Sequence, residues 1–322
     1  MEKAASRRVQ SALLLTFCAF LWGTTFIAQK QGADCVGPFT FNCMRSLLSA
    51  VCLTPLAIFV NLRIQNERTE GLSVSRRAFA ADKSPATVLL SGLICGLLLF
   101  AAMNFQQSGL AGSTAGKSAF LSSIYILMVP IFNLLLFRQK TGKGIIVSLA
   151  IAVAGLYLLC VKAGESFALV PSDSMLLTCA AIFALHIVIV GRFAGRINGI
   201  MLSCLQFWTV AVMSSVPMLI FERPTAKMLG MAAGAIAYAG ILSGAVAYTL
   251  QIIGQQHSDP TVASMVMSLE SVFSAAAGAV ILGERMDKRE VIGCLLIFAS
   301  IIISQFGFEG FGRKKTDSTV SQ

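Results

Sequence analysis

The sequence predicts an all-α integral membrane protein whose ten transmembrane helices form two inverted five-helix repeats. Three observations carry that expectation. Of the 322 residues, 56% are hydrophobic and 12% are charged, against about 25% charged in soluble domains. Ten apolar runs reach the roughly 20 residues that a helix needs to cross a bilayer. Corresponding segments also recur in the same order in the two halves of the chain.

The ten runs are 11–29, 38–60, 87–107, 114–137, 144–161, 174–190, 199–221, 228–255, 261–283 and 290–306. Most links between them are short, so neighbouring helices run antiparallel. No alternating, period-two strand pattern appears. The polar stretches 61–84 and 313–322 are too short to form domains. The chain therefore divides into an N-terminus (1–10), a first repeat (11–162), a second repeat (172–306) and a tail (307–322). The first run follows Arg7 and Arg8 as a signal peptide would, but its length and the spans after it mark a retained helix.

Charge sets orientation. The net charge is +10, and the basic residues lie mostly between the apolar runs. With the N-terminus inside, sixteen of them fall on inside segments and seven on outside segments, while Arg45 and Lys117 lie within spans. That bias puts both termini in the cytoplasm. In a soluble protein such a charge would suggest nucleic acid; here the partner is the lipid bilayer, and no nucleic acid is expected. Nine cysteines lie mostly inside apolar runs with no C-x-x-C pair, so they are read as small packing residues.

The repeat is visible in register. Phe105-Gln106-Gln107-Ser108-Gly109 closes the third run, and Gly254-Gln255-Gln256-His257-Ser258 closes the eighth. Sliding the fourth run onto the ninth by 145 residues places Tyr125 on Glu270, Gln139 on Glu284 and Lys143 on Lys288. Leu14-Leu15-Thr16 in the first run matches Leu176-Leu177-Thr178 in the sixth. Five is odd, so a second copy enters the membrane upside down. Inverted repeats of this kind build transporters, with the solute site near the midplane.

Glu270 is the residue around which a function is read. An ionised, unpaired carboxylate at the bilayer centre costs roughly 2.5–3.5 kcal/mol on insertion scales. A chain that keeps one points it at a partner helix or at a solute pathway. Asn104, Tyr125, Tyr248 and Gln251 join Glu270 as the substrate-cavity candidates, because they fall on central stretches of paired spans, and Trp22, at the end of the first span, joins them as an aromatic wall. Singly, each of the polar ones also suits an ordinary helix contact, and Trp22 suits an interfacial belt. Arg45 and Lys117 sit nearer the outer ends of their spans. There they either snorkel outward or line an outer vestibule, where Arg45 would pair an anionic group. His186 reads as a helix-contact residue, and Pro130 and Pro217 stand where they would kink their helices.

No catalytic set is present. His186 and His257 lie on different spans without metal-ligand spacing, and no glycine-rich turn follows a strand. No catalytic residues, metal site or cofactor are expected.

Ser268-Leu269-Glu270-Ser271-Val272-Phe273, followed by Leu282-Gly283-Glu284-Arg285, resembles the drug/metabolite transporter superfamily, EamA type. That family commonly reads L-E-P-V-F and then L-G-E-R there. Trp22-Gly23, Arg45, the segment 114–121 and Pro260-Thr261-Val262-Ala263 also match. Two departures stand out. Ser271 replaces the usual proline, which would leave the ninth helix straighter. Phe137-Arg138-Gln139-Lys140, the first-half copy of L-G-E-R, lacks the acid. The resemblance implies a central cavity, no ATP site and movement of small metabolites (amino acids, sugars, nucleotide-like compounds or drugs), often outward. The expectation is a secondary transporter of a bacterial plasma membrane working by alternating access, with Glu270 as the group that binds a coupling proton or cation. An uncoupled facilitator, a channel and a non-transporting scaffold are the rival readings.

Overall fold

The computed structural model describes residues 2–69, 84–113, 115–161, 170–281 and 286–306, and every regular element among them is helical. In chain order these are α1 (Glu2–Ala33), α2 (Pro38–Thr69), α3 (Pro85–Ala111), α4 (Ala115–Ser123), α5 (Tyr125–Phe137), α6 (Lys143–Cys160), α7 (Pro171–Ala194) and α8 (Gly199–Pro217). A π-helical turn, Met218–Glu222, extends α8. Then follow α9 (Ala226–Tyr238), a π-helical stretch (Ala239–Tyr248), α10 (Thr249–Gln255), α11 (Pro260–Met267), α12 (Leu269–Ile281) and α13 (Lys288–Phe306).

Among the described residues, nine helical segments are long and apolar enough to cross a membrane. Start signals in the sequence explain several boundaries. Proline occupies the first turn of α3, α7 and α11, where its missing N–H costs nothing. Ser84, Asn198, Thr225 and Asp259 each accept a backbone N–H of the helix they begin, the usual remedy for unpaired donors at a helix start.

The fourth and ninth spans are each interrupted near the middle. α4 gives way to α5 at Ile124, and α11 gives way to α12 at Ser268. The ninth span is thus not a straight helix even with Ser271 in place of proline. Instead the Ser271 hydroxyl meets that of Ser123 at 2.9 Å, tying the two breaks together. Pro217 stands where α8 passes into its π turn.

The packing is pairwise. α6 lies on α13, and α2 on α8. α3 packs against α7 and α8, while α10 and the π stretch before it pack against α1 and α2. α1 lies on α12, as α7 lies on α5. Small residues permit the closest contacts. A Cβ on Gly155 would sit 2.8 Å from the Gly293 carbonyl oxygen, so α6 and α13 touch backbone to backbone. Large apolar side chains such as Leu135, Phe221 and Val280 are exposed around the outside, as a lipid-facing surface requires.

At one end of the bundle, Glu222 of the π turn caps α2. Its carboxylate accepts the Phe39 N–H at 2.9 Å and the Thr40 N–H at 2.6 Å. An anion at a helix N-terminus is favoured by the dipole and by its open donors.

Candidate functional site

One buried cavity lies among α1, α2, α3, α5, α7, the π stretch, α10 and α12. Five of the six expected cavity residues line it: Trp22, Tyr125, Tyr248, Gln251 and Glu270. The sixth, Asn104, does not. It is buried between helices, where Asn42 Nδ2 donates to its Oδ1 at 3.0 Å. Its own amide donates to the Phe100 carbonyl at 2.7 Å and to Ser214 Oγ at 3.5 Å. Asn104 therefore joins α3 to α2 and α8, and its neighbour Gln106 reaches the cavity instead.

Arg45 lines this same cavity rather than a separate vestibule, and it is 4% exposed. Its guanidinium carbon stands 5.4 Å from the centre of the Phe41 ring. The side chain of Lys117 and the cluster Gly283-Glu284-Arg285 lie outside the described residues.

Helix packing explains how these groups meet. α1 approaches α12 so closely at Gly23 that a Cβ there would sit 2.5 Å from the Glu270 carbonyl oxygen. That contact seats Trp22 beside the acid. The Trp22 and Tyr248 rings lie 4.7 Å apart at a tilt of 55°. Phe207 and His186 both meet the Tyr248 ring edge-on, at 5.4 and 6.4 Å. His186 is itself fully buried and pairs with Gln206 Oε1 at 3.2 Å. It supports Tyr248 from behind and does not line the cavity.

Glu270 is 6% exposed. Its carboxyl lies beside the hydroxyls of Tyr125 and Ser123, from the interrupted fourth span. Several polar atoms on the lining have no hydrogen-bond partner among the described residues: Trp22 Nε1, Arg45 Nε and Gln251 Oε1. Buried polar groups are normally paired. Two donors and one acceptor left open around one cavity make a surface prepared for a polar guest.

The family model described as the EamA-like transporter family matches residues 10–161 and again residues 170–306. The chain belongs to this family. It is a multi-pass membrane transporter. An uncharacterized transporter of Archaeoglobus fulgidus is 23% identical over 297 residues, covering 92% of this chain and 86% of that protein. A solved crystal structure matches with a TM-score of 0.71 over 92% of this chain and 96% of that chain. At 19% identity it shows the fold alone.

In this EamA-like transporter the cavity also takes Thr25, Phe26, Gln29, Phe183, Ile187 and Ser243, none of which the sequence singled out as a site residue. Helical spacing would have found several. Trp22, Thr25, Phe26 and Gln29 stand at i, i+3, i+4 and i+7 on one face of α1, and Phe183 and Ile187 at i and i+4 on α7. Ser243 obeys a different rule. It precedes Tyr248 by five residues within the π-helical stretch, and the wider π turn brings positions five apart onto one face.

Proposed function

We propose that this EamA-like transporter is a secondary transporter that carries a small metabolite through the central cavity by alternating access, outward from a bacterial cytoplasm. The observation that carries the proposal is the make-up of the cavity. Both matched halves of the chain contribute to one buried chamber, which holds an acid and several polar atoms without protein partners.

Two inverted repeats of five spans, ten helices in all, are part of the same proposal. The packing supports them. Under a shift of five spans, α6 on α13 and α2 on α8 each map onto themselves. α3 on α7 maps onto the eighth span on α1, and α1 on α12 maps onto α7 on α5. The interruptions at Ile124 and Ser268 fall at matching places in the fourth and ninth spans. Two similar halves clamped around a midplane site form a bistable arrangement that can expose that site to either side in turn. Both termini then lie in the cytoplasm, by the charge bias of the loops.

Glu270 is the proton- or cation-binding group of this mechanism. It faces the cavity from α12, close to the break in its span, where local rearrangement costs least. The test is transport in liposomes by wild type and Glu270→Gln under an imposed pH gradient, using a solute found by comparing the metabolites of cells with and without the protein. A gradient-driven component in wild type that vanishes in the variant supports the assignment. Equal pH dependence in both removes Glu270 from coupling, and no gradient-driven component in wild type leaves a facilitator.

A further inference from the structure

The deepest unanswered charge in the cavity is Arg45. Arginine is essentially always protonated, and a buried guanidinium is ordinarily paired with an anion. Here the residue is 4% exposed. Among the described residues its guanidinium makes no hydrogen bond or ion pair, and Nε is left without a partner. The Phe41 ring at 5.4 Å gives it a cation–π contact, which offsets part of the lost hydration but uses none of its five N–H donors.

Glu270 lines the same cavity without closing an ion pair on Arg45. Tyr248 lines the cavity with them, within electrostatic reach of both and in contact with the Trp22 ring. The cavity thus offers an open guanidinium together with two aromatic rings, Trp22 and Tyr248, in contact at a tilt of 55°.

We infer that the solute is a small organic anion whose carboxylate is held by Arg45 and whose flat apolar body lies against Trp22 and Tyr248. This rests on reading the cavity as the solute site. A guanidinium fork matches a carboxylate with two parallel N–H···O bonds. In a cavity shielded from water, such a contact discriminates strongly against cations and more weakly against neutral analogues.

The chain has two tryptophans, which supplies a reporter. Trp208 is partly exposed on the outside of α8, and its Nε1 donates to Thr54 Oγ1 at 3.0 Å. In the Trp208→Phe protein, Trp22 is the remaining fluorophore. That protein, purified whole, is titrated at pH 7 with phenylacetate, 2-phenylethanol and phenethylamine, three probes of one size and three head-group charges. Phenylacetate is expected to change Trp22 emission saturably, and the other two are expected not to. Arg45→Gln added to Trp208→Phe is expected to weaken phenylacetate binding about 10- to 100-fold, with Arg45→Lys between the two.

Binding of phenethylamine or phenylethanol as tight as that of phenylacetate overturns the inference. So does the absence of any saturable response, or full affinity in a folded Arg45→Gln protein. The probe series reads out on the Trp208→Phe protein even if the arginine variants do not fold. Phenylacetate that binds and is never carried into vesicles leaves this inference standing and removes the transport reading instead.

Discussion

Gly23→Ala tests whether α1 and α12 touch where the cavity is built. The added methyl carbon would lie 2.5 Å from the Glu270 carbonyl oxygen, 2.7 Å from Phe273 Cβ and 2.8 Å from the Ser274 nitrogen. Two of the three are backbone atoms, which cannot rotate aside. Ordinary carbon contacts are about 3.5–4.0 Å, so α1 must retreat by about 1 Å. Overpacking of this kind costs about 1–3 kcal/mol, and the better helix propensity of alanine returns at most about 1 kcal/mol. A net loss of about 1–2 kcal/mol lowers the folded-to-unfolded ratio roughly 5- to 30-fold. Gly234→Ala is the control, because nothing lies within 4 Å of its Cβ position and only the propensity gain of about 0.5–1 kcal/mol remains. Thermal unfolding of both variants in one detergent separates the signs: Gly23→Ala melts below wild type and Gly234→Ala at or above it. Transport should fall further than stability in Gly23→Ala, since Trp22 and Glu270 ride on the two helices being parted. Equal melting of Gly23→Ala and Gly234→Ala would refute the close approach.

Other outcomes follow from the same contacts. Asn104→Ala leaves the Asn42 amide with one partner fewer, and is expected to cost about 1–3 kcal/mol in unfolding without changing which solutes are carried; a shift in solute preference at unchanged stability would place Asn104 in the cavity after all. Glu222→Gln keeps one acceptor for the N-terminus of α2 but loses the charge, so a loss of about 0.5–1 kcal/mol is expected, shrinking as salt rises. Ser123→Ala breaks the hydroxyl contact to Ser271, and Ser271→Ala in the same chain should add little further loss, because a double-mutant cycle registers one shared bond. Tyr248→Leu removes the ring that contacts Trp22, Phe207 and His186; measured transport should drop in affinity more than in expression.

The membrane class and the family are legible in the sequence alone, because apolar length and the Glu270 segment are local signals. The sequence pairs Tyr125 with Glu270 at a spacing of 145 residues, and both line the cavity. Direction was harder to read. Asn104 and Gln106 are two residues apart, about 200° around a helix, so only one could face inward, and hydropathy does not say which. Trp22 fitted an interface as well as a cavity until the contact at Gly23 fixed its side. Arg45 was read as belonging to the outer end of its span, and the packing of α2 brings it to the central chamber. Ser243 was hidden for a geometric reason, since an α-helical period does not bring it in line with Tyr248. The interruption at Ser268 had no proline to announce it.

Counterflow decides the central claim most directly. Vesicles containing the reconstituted protein are loaded with unlabelled solute and diluted into a trace of labelled solute. A site that alternates between the two faces must draw label in transiently above its outside concentration, then let it decay, and Gly23→Ala must blunt that overshoot. Label that climbs monotonically to equilibrium in wild type would show an open pathway, and the alternating chamber would have to be abandoned.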